Sequence, residues 1–204
     1  MRILVGLGNP GSDYDRTRHN LGFRTLDALA GRHGLVFAEP VGACAEATGR
    51  IGGVEVTLLK PQLYMNRSGE ALALWAGRRH PGPEEADPGE VPSPIVVCDD
   101  IALPLGSARL RARGGDGGHR GLESLIEALG SEDFPRLRLG VAGGGEPIPA
   151  VVWADYVLDA FATEEEPVVE ELIDHACAAL ERALAHGVED AASRFNRGPP
   201  AAKG

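Results

Sequence analysis

A chain of 204 residues with 43% apolar side chains can build one good core and is short for two. No stretch nears the roughly 20 apolar residues of a membrane span, and the N-terminus lacks the basic-then-apolar pattern of a secretory signal. The net charge of −10 argues, as a bulk figure, against a nucleic-acid partner.

In chain order, the apolar strand Ile3–Val5 runs into Gly6-Leu7-Gly8-Asn9-Pro10-Gly11 and then Tyr14, Arg18, His19, Asn20 and Gly22. Gly6, Gly8 and Gly11 match the spacing of a dinucleotide fingerprint, which needs a helix to start at once beneath a pyrophosphate. Here a polar run follows instead, and Pro10 removes a backbone donor. The next acidic strand end, Glu39, lies about 28 positions after Gly11, where a ribose-binding acid is expected at roughly 20. What remains is a strand-to-loop turn presenting Asn9, Tyr14 and His19. A helical stripe through Leu21, Phe23, Leu26, Leu29 and Ala30 ends before Gly34.

Strands are expected around Ala43–Ile51 and Val54–Leu59, joined by a Gly52-Gly53 hairpin turn. Asn66-Arg67-Ser68-Gly69 opens a helix carrying Leu72, Leu74 and Trp75, which Asn66 could cap. Pro81–Pro94, rich in proline and acids, reads as a surface loop. A short buried strand, Ile95–Val97, ends in Asp99-Asp100. Arg109, Arg111 and Arg113 alternate along a strand and so share one face. The glycine-rich run 114–121, holding His119 and Arg120, leads into a helix through Leu122, Leu125, Ile126 and Leu129, and Leu137–Val141 is a further strand. Thr163 and Glu166 have the spacing of a capping box for a last helix whose apolar face includes Val168, Val169, Leu172, Ile173, Ala176 and Leu180, ended by Gly187. The alternation implies one α/β domain over 1–190, a twisted mixed sheet flanked by helices with a C-terminal amphipathic helix. A tail over 191–204 is expected to be partly disordered.

Cys44, Cys98 and Cys177 are odd in number, far apart and in no metal spacing, the usage of reduced thiols in a cytoplasmic protein. Charge is unevenly spread: from Asp155 to Asp190 Arg182 is the one arginine or lysine, whereas arginines cluster at 109, 111, 113 and 120 and again at 136 and 138. That cluster is either a solvated strand face or a stripe contacting phosphates.

The polar turns at strand ends are where an α/β sheet gathers its ligand site. His19 paired with an aspartate makes a general base, since the carboxylate fixes the tautomer and raises the basicity of the ring. Asn9 and Asn66 can donate to a carbonyl oxygen. No serine or cysteine sits in a nucleophile-elbow pattern, which points to direct attack by water. Asp99-Asp100 could also bind a divalent cation, or His19, His119 and Asp99 a zinc, although no ligand spacing supports either.

The runs at 6–22, 60–69, 98–106, 114–122 and 134–141, in that order, resemble the bacterial-type peptidyl-tRNA hydrolases. The resemblance implies a monomeric, metal-free, cytoplasmic esterase that needs no cofactor. It would cleave the bond between a peptide and the 3′ ribose of tRNA, returning stalled tRNA to translation. Carried over, His19 is the base, Asp99 its orienting carboxylate, and Asn9 a residue that tells peptidyl-tRNA from aminoacyl-tRNA. Tyr14, Tyr64, Met65, Asn66, His119 and Arg120 would contact the peptide and the 3′ end. Arg109, Arg111 and Arg138 would contact phosphates of the acceptor stem, while Val151–Phe161 and the C-terminal helix border the cleft. Arg120 stands where the family has asparagine; it would lower the pKa of a nearby His19, unless Asp116 pairs with it. A paralogue that binds RNA without turnover is the alternative, and retention of both His19 and Asp99 argues against it.

Overall fold

The computed structural model describes residues 1–40, 42–79, 93–143 and 148–196. The expected loop over 81–94 falls almost wholly outside these residues, as do 197–204 of the expected tail. Six strands form one mixed sheet: β1 (Arg2–Gly6), β2 (Cys44–Ile51), β3 (Val54–Pro61), β4 (Ile95–Pro104), β5 (Ala108–Arg111) and β6 (Arg136–Ala142), in the order β2-β3-β1-β4-β6-β5. The four central strands β3, β1, β4 and β6 run parallel, while β2 and β5 return antiparallel at the two edges. Gly52 and Gly53 carry positive φ of 56° and 84° between the paired residues Ile51 and Val54, the two-residue hairpin that matches strand twist.

Helices cover both faces because the central strands are apolar on both sides. Helices α1 (Leu21–Arg32), α5 (Glu166–His186) and α6 (Val188–Phe195) pack on one face against Leu4, Val97, Leu110, Leu137 and Leu139. Helices α2 (Ser68–Arg79) and α3 (Arg120–Leu129) pack on the other against Ile3, Val5, Val96 and Cys98. A short helix, α4 (Trp153–Leu158), lies between β6 and α5.

The glycines of the first turn serve packing. A Cβ on Gly22 would stand 2.4 Å from the Val97 carbonyl oxygen and 2.5 Å from Leu7 backbone atoms, so only glycine lets α1 begin directly under the β1 turn. The helix that a dinucleotide fingerprint needs immediately after its glycines starts only at Leu21.

Several local expectations are corrected. β4 continues past Asp99 to Pro104, with a register shift between Asp100 and Pro104, and Arg113 lies beyond the end of β5. Leu74 and Val168 point to solvent. The expected pairing of Thr163 with Glu166 does not form: Glu166 pairs with Arg24 (2.6 Å), while Glu165 Oε2 takes both Arg18 (2.9 Å) and the Ala162 N–H (2.9 Å). The packed domain also extends past 190. Helix α6 runs to Phe195, and Asn196 exchanges two hydrogen bonds with the backbone of Leu110, satisfying groups of the outermost strand.

Candidate active site

The loops that follow β1 and β3 and the loop that leads from β5 into α3 meet beside Asp99 of β4. The first carries His19 in a tight turn, Arg18–Asn20, directly before α1. The Asn20 amide clasps the backbone of Asn9, accepting from its N–H (2.8 Å) and donating to its carbonyl (2.9 Å), so the Asn9 and His19 ends of the loop are pinned together. The second loop follows β3: the Met65 N–H donates to Asn9 Oδ1 at 2.8 Å. With its oxygen occupied, Asn9 presents its amide Nδ2 as the open group, a donor rather than an acceptor.

Asp99, buried on β4, receives both histidines on one oxygen. His19 Nδ1 lies 2.8 Å from Asp99 Oδ1 and His119 Nε2 lies 3.0 Å from the same atom, the two rings tilted with centroids 4.9 Å apart. His119 Nδ1 accepts the backbone N–H groups of Gly121 and Leu122 at the start of α3, so its proton must sit on Nε2, aimed at Asp99. The tautomer of His19 follows: Nδ1 donates to Asp99, and Nε2 is left as a free lone pair. Burial works against a charged His19, but the Asp99 charge and hydrogen bond outweigh it and hold the imidazole pKa above its ordinary 6.5. Asp99 is buried too, yet the two histidines hold its carboxyl well below the usual carboxylate range. The same three residues offer ligand atoms within 4.8 Å of one another, a grouping open to a cation, but here the nitrogen–oxygen approaches are hydrogen bonds. The arrangement suits a base that takes a proton from water and holds it as an ion pair.

Other expected residues sort into lining, support and periphery. Tyr14 and Tyr64 meet edge to face at 6.4 Å, with Tyr64 exposed beside the site. Asn66 is exposed within the turn Met65–Arg67 that precedes α2. Met65 is buried and contributes through its backbone. Arg109 stands opposite Arg138 and Arg111 opposite Arg136 on adjacent strands, so all four share one face of the sheet. Arg109 and Arg111 are exposed, whereas Arg138 is partly buried and Arg136 buried. Arg138 is turned onto Asp100 (3.2 Å) and the carbonyls of Gly115 and Asp116, and Arg136 is buried over the Phe134 ring. Arg120 is exposed, and among the described residues no ion pair joins it to Asp116, whose carboxylate caps the Gly118 N–H instead. Nor does it depress His19, whose shift is upward and caused by Asp99.

Sequence reasoning passed over Arg18. It sits beside the candidate base and is buried, and the one available signal was a basic residue adjoining that histidine in a polar loop. It also left Asn20 and the second histidine's bond to Asp99 unassigned.

A mixed, centrally parallel α/β sheet bearing an aspartate-braced imidazole beside its loops is an arrangement suited to general-base chemistry. A model of the family described as peptidyl-tRNA hydrolase matches residues 3–203. A peptidyl-tRNA hydrolase of Desulforudis audaxviator is 46% identical over 196 residues, spanning 96% of this chain and 93% of its own. One from Chloroflexus aggregans is 42% identical, spanning 96% and 99%. The crystal structure of peptidyl-tRNA hydrolase from Acinetobacter baumannii superposes with a TM-score of 0.83 at 31% identity, covering 98% of this chain and 97% of that one. The chain therefore belongs to the peptidyl-tRNA hydrolase family. No described helix is long and apolar enough to cross a membrane.

Proposed function

We propose that this protein hydrolyses the ester bond between the peptide and the 3′ ribose of peptidyl-tRNA, with His19 as general base. The observation that carries the reading is the 2.8 Å contact of His19 Nδ1 with buried Asp99, which leaves Nε2 free at the mouth of the site. In the first step Nε2 takes a proton from water as its oxygen bonds to the ester carbonyl carbon, and Asp99 stabilises the imidazolium. The Asn9 Nδ2 donates to the carbonyl oxygen as it gains charge. The carbon–oxygen bond to the ribose then breaks, and His19 returns its proton to the departing 3′ oxygen. No covalent enzyme intermediate is required.

Around this centre, Tyr14, Tyr64 and Asn66 contact the peptide and the terminal nucleotide, while His119 supports Asp99. Exposed Arg109 and Arg111 take phosphates of the acceptor stem, a local positive surface on a chain of net charge −10. The protein acts as a monomer in the cytoplasm, where the buried free thiols Cys44, Cys98 and Cys177 remain reduced.

The test is release of N-acetyl-aminoacyl groups from tRNA by the purified protein, with and without EDTA, and with His19→Ala as control. Turnover that survives EDTA and is lost in the variant supports a metal-free, His19-dependent esterase. Turnover lost to EDTA would make the His19, Asp99 and His119 cluster a metal centre. No turnover with tRNA still bound would favour the RNA-binding paralogue.

A further inference from the structure

The segment Ala150–Phe161, which contains α4, crosses the carboxyl-end face as a strap with three anchors. At one end Trp153 packs on Gly118, in the loop leading to His119: a Cβ on that glycine would lie 3.3 Å from the indole. In the middle, the Tyr156 hydroxyl donates to the Val141 carbonyl (2.8 Å) and accepts from the Gly143 N–H (3.0 Å), at and just past the end of β6. The third anchor is Arg18, the residue adjoining His19. Its Nη1 donates to the carbonyls of Tyr156 (3.4 Å), Asp159 (3.3 Å) and Ala160 (3.0 Å), and its Nη2 pairs with Glu165 at 2.9 Å. The guanidinium also lies 4.3 Å from the Tyr156 ring centre and 5.2 Å from that of Phe161. On the main chain, the Arg18 N–H donates to the Asp159 carbonyl and Thr17 bridges Ala160.

We infer that Arg18 is a positioning residue for His19, holding the Arg18–Asn20 turn against the strap so that the imidazole keeps its bond to Asp99. The inference rests on the hydrolytic reading above. A planar fork holds donors on two separate nitrogens, one on the strap carbonyls and the other on Glu165, a span that the single nitrogen of an ammonium does not cover. Burying a guanidinium is costly, and Arg18 Nε is left without a partner, so the site accepts a penalty to keep this side chain.

Arg24 supplies a matched control. It pairs with Glu166 at 2.6 Å and lies 5.8 Å from the same Phe161 ring, but it stands on α1 and bonds no strap carbonyl. The experiment compares Arg18→Lys, Arg18→Ala and Arg24→Ala by thermal unfolding, by kcat and KM, and by NMR titration of the His19 ring without substrate. The groups facing that ring are Asp99 from β4 and His119 ahead of α3. Both Arg18 variants should lower kcat by up to about 10²-fold with little change in KM, as expected when a reacting group is misplaced by roughly 1 Å. In both, the His19 titration should move down toward 6.5 as its bond to Asp99 loosens. Arg24→Ala should lose stability yet keep kcat and the titration. If Arg18→Ala does not fold, Arg18→Lys decides. Normal kcat and His19 titration in Arg18→Lys, or equal kcat loss in Arg24→Ala, would overturn the proposal. Should the wild type itself show no turnover, the hydrolytic reading fails, while the titration still tests the Arg18 link.

Discussion

His119 Nε2 stands 3.0 Å from Asp99 Oδ1, the same oxygen that receives His19, while its other nitrogen caps the first turn of α3. One ring thus ties the buried carboxylate to a helix N-terminus. His119→Ala removes a helix cap and a hydrogen bond to a buried charge together. Urea unfolding should show a loss of about 2 kcal/mol or more. Residual activity should also fall, because Asp99 is freed to rotate away from His19.

The His19–Asp99 pair sets a pH signature. His19 must be neutral to act as base, so kcat/KM should rise with pH through a midpoint above 6.5, the value that Asp99 raises. Asp99→Asn should slow the reaction and move that midpoint down. An unmoved limb would remove Asp99 from the mechanism.

The same shifts have opposite signs for stability. His19, with its folded pKa raised, stabilises fully below 6.5 and loses that contribution as pH climbs through the folded value. Asp99, with its folded pKa depressed, stabilises fully above 3.8 and loses that contribution as pH falls through its folded value. The joint contribution is therefore greatest between 3.8 and 6.5, and in Asp99→Asn the fall of Tm on either side of that window should flatten.

Asn9 can be separated from its scaffolding role. Asn9→Asp keeps an oxygen for the Met65 N–H but removes the open amide donor. It should fold and lose roughly 10²-fold or more in kcat, the cost of one donor to a developing oxyanion. Near-normal kcat would mean that Asn9 only braces the loop.

The arginines on the shared sheet face should divide by exposure. Replacing Arg109 and Arg111 with glutamine should reduce the slope of log KM against log salt by up to about 2, with kcat at saturation unchanged. Arg138→Ala should instead lower Tm, since its guanidinium is engaged with Asp100 and the Gly115 and Asp116 carbonyls.

Much of this site could be read along the chain because its parts lie in short, chemically distinctive runs. Asn9, His19 and Asp99 each follow or end an apolar strand, and period-2 and period-3.6 patterns located most elements. The misses share one cause. The capping box at Thr163 and Glu166 failed because Arg24, distant in sequence, claimed Glu166, and Glu165 took a backbone N–H one residue earlier, at Ala162. Arg138, which alternation along β6 leaves on the face of Arg109 and Arg111, is brought beside Asp100 only by the pairing of β4 with β6.

By itself the sequence determined the α/β class, the Gly52-Gly53 hairpin turn, and the supply of a base, a carboxylate and amides at strand ends. Its local periodicities and motifs suffice for these, since each depends on residues near one another in the chain. Only the tertiary structure decided that residues 19, 99 and 119 share one oxygen, that Asn9 offers a donor, and that Arg18 faces inward. These outcomes follow from strand order and register, which bring together groups separated by tens of residues. Once such groups are buried, their hydrogen bonds must be satisfied by whatever the fold places beside them.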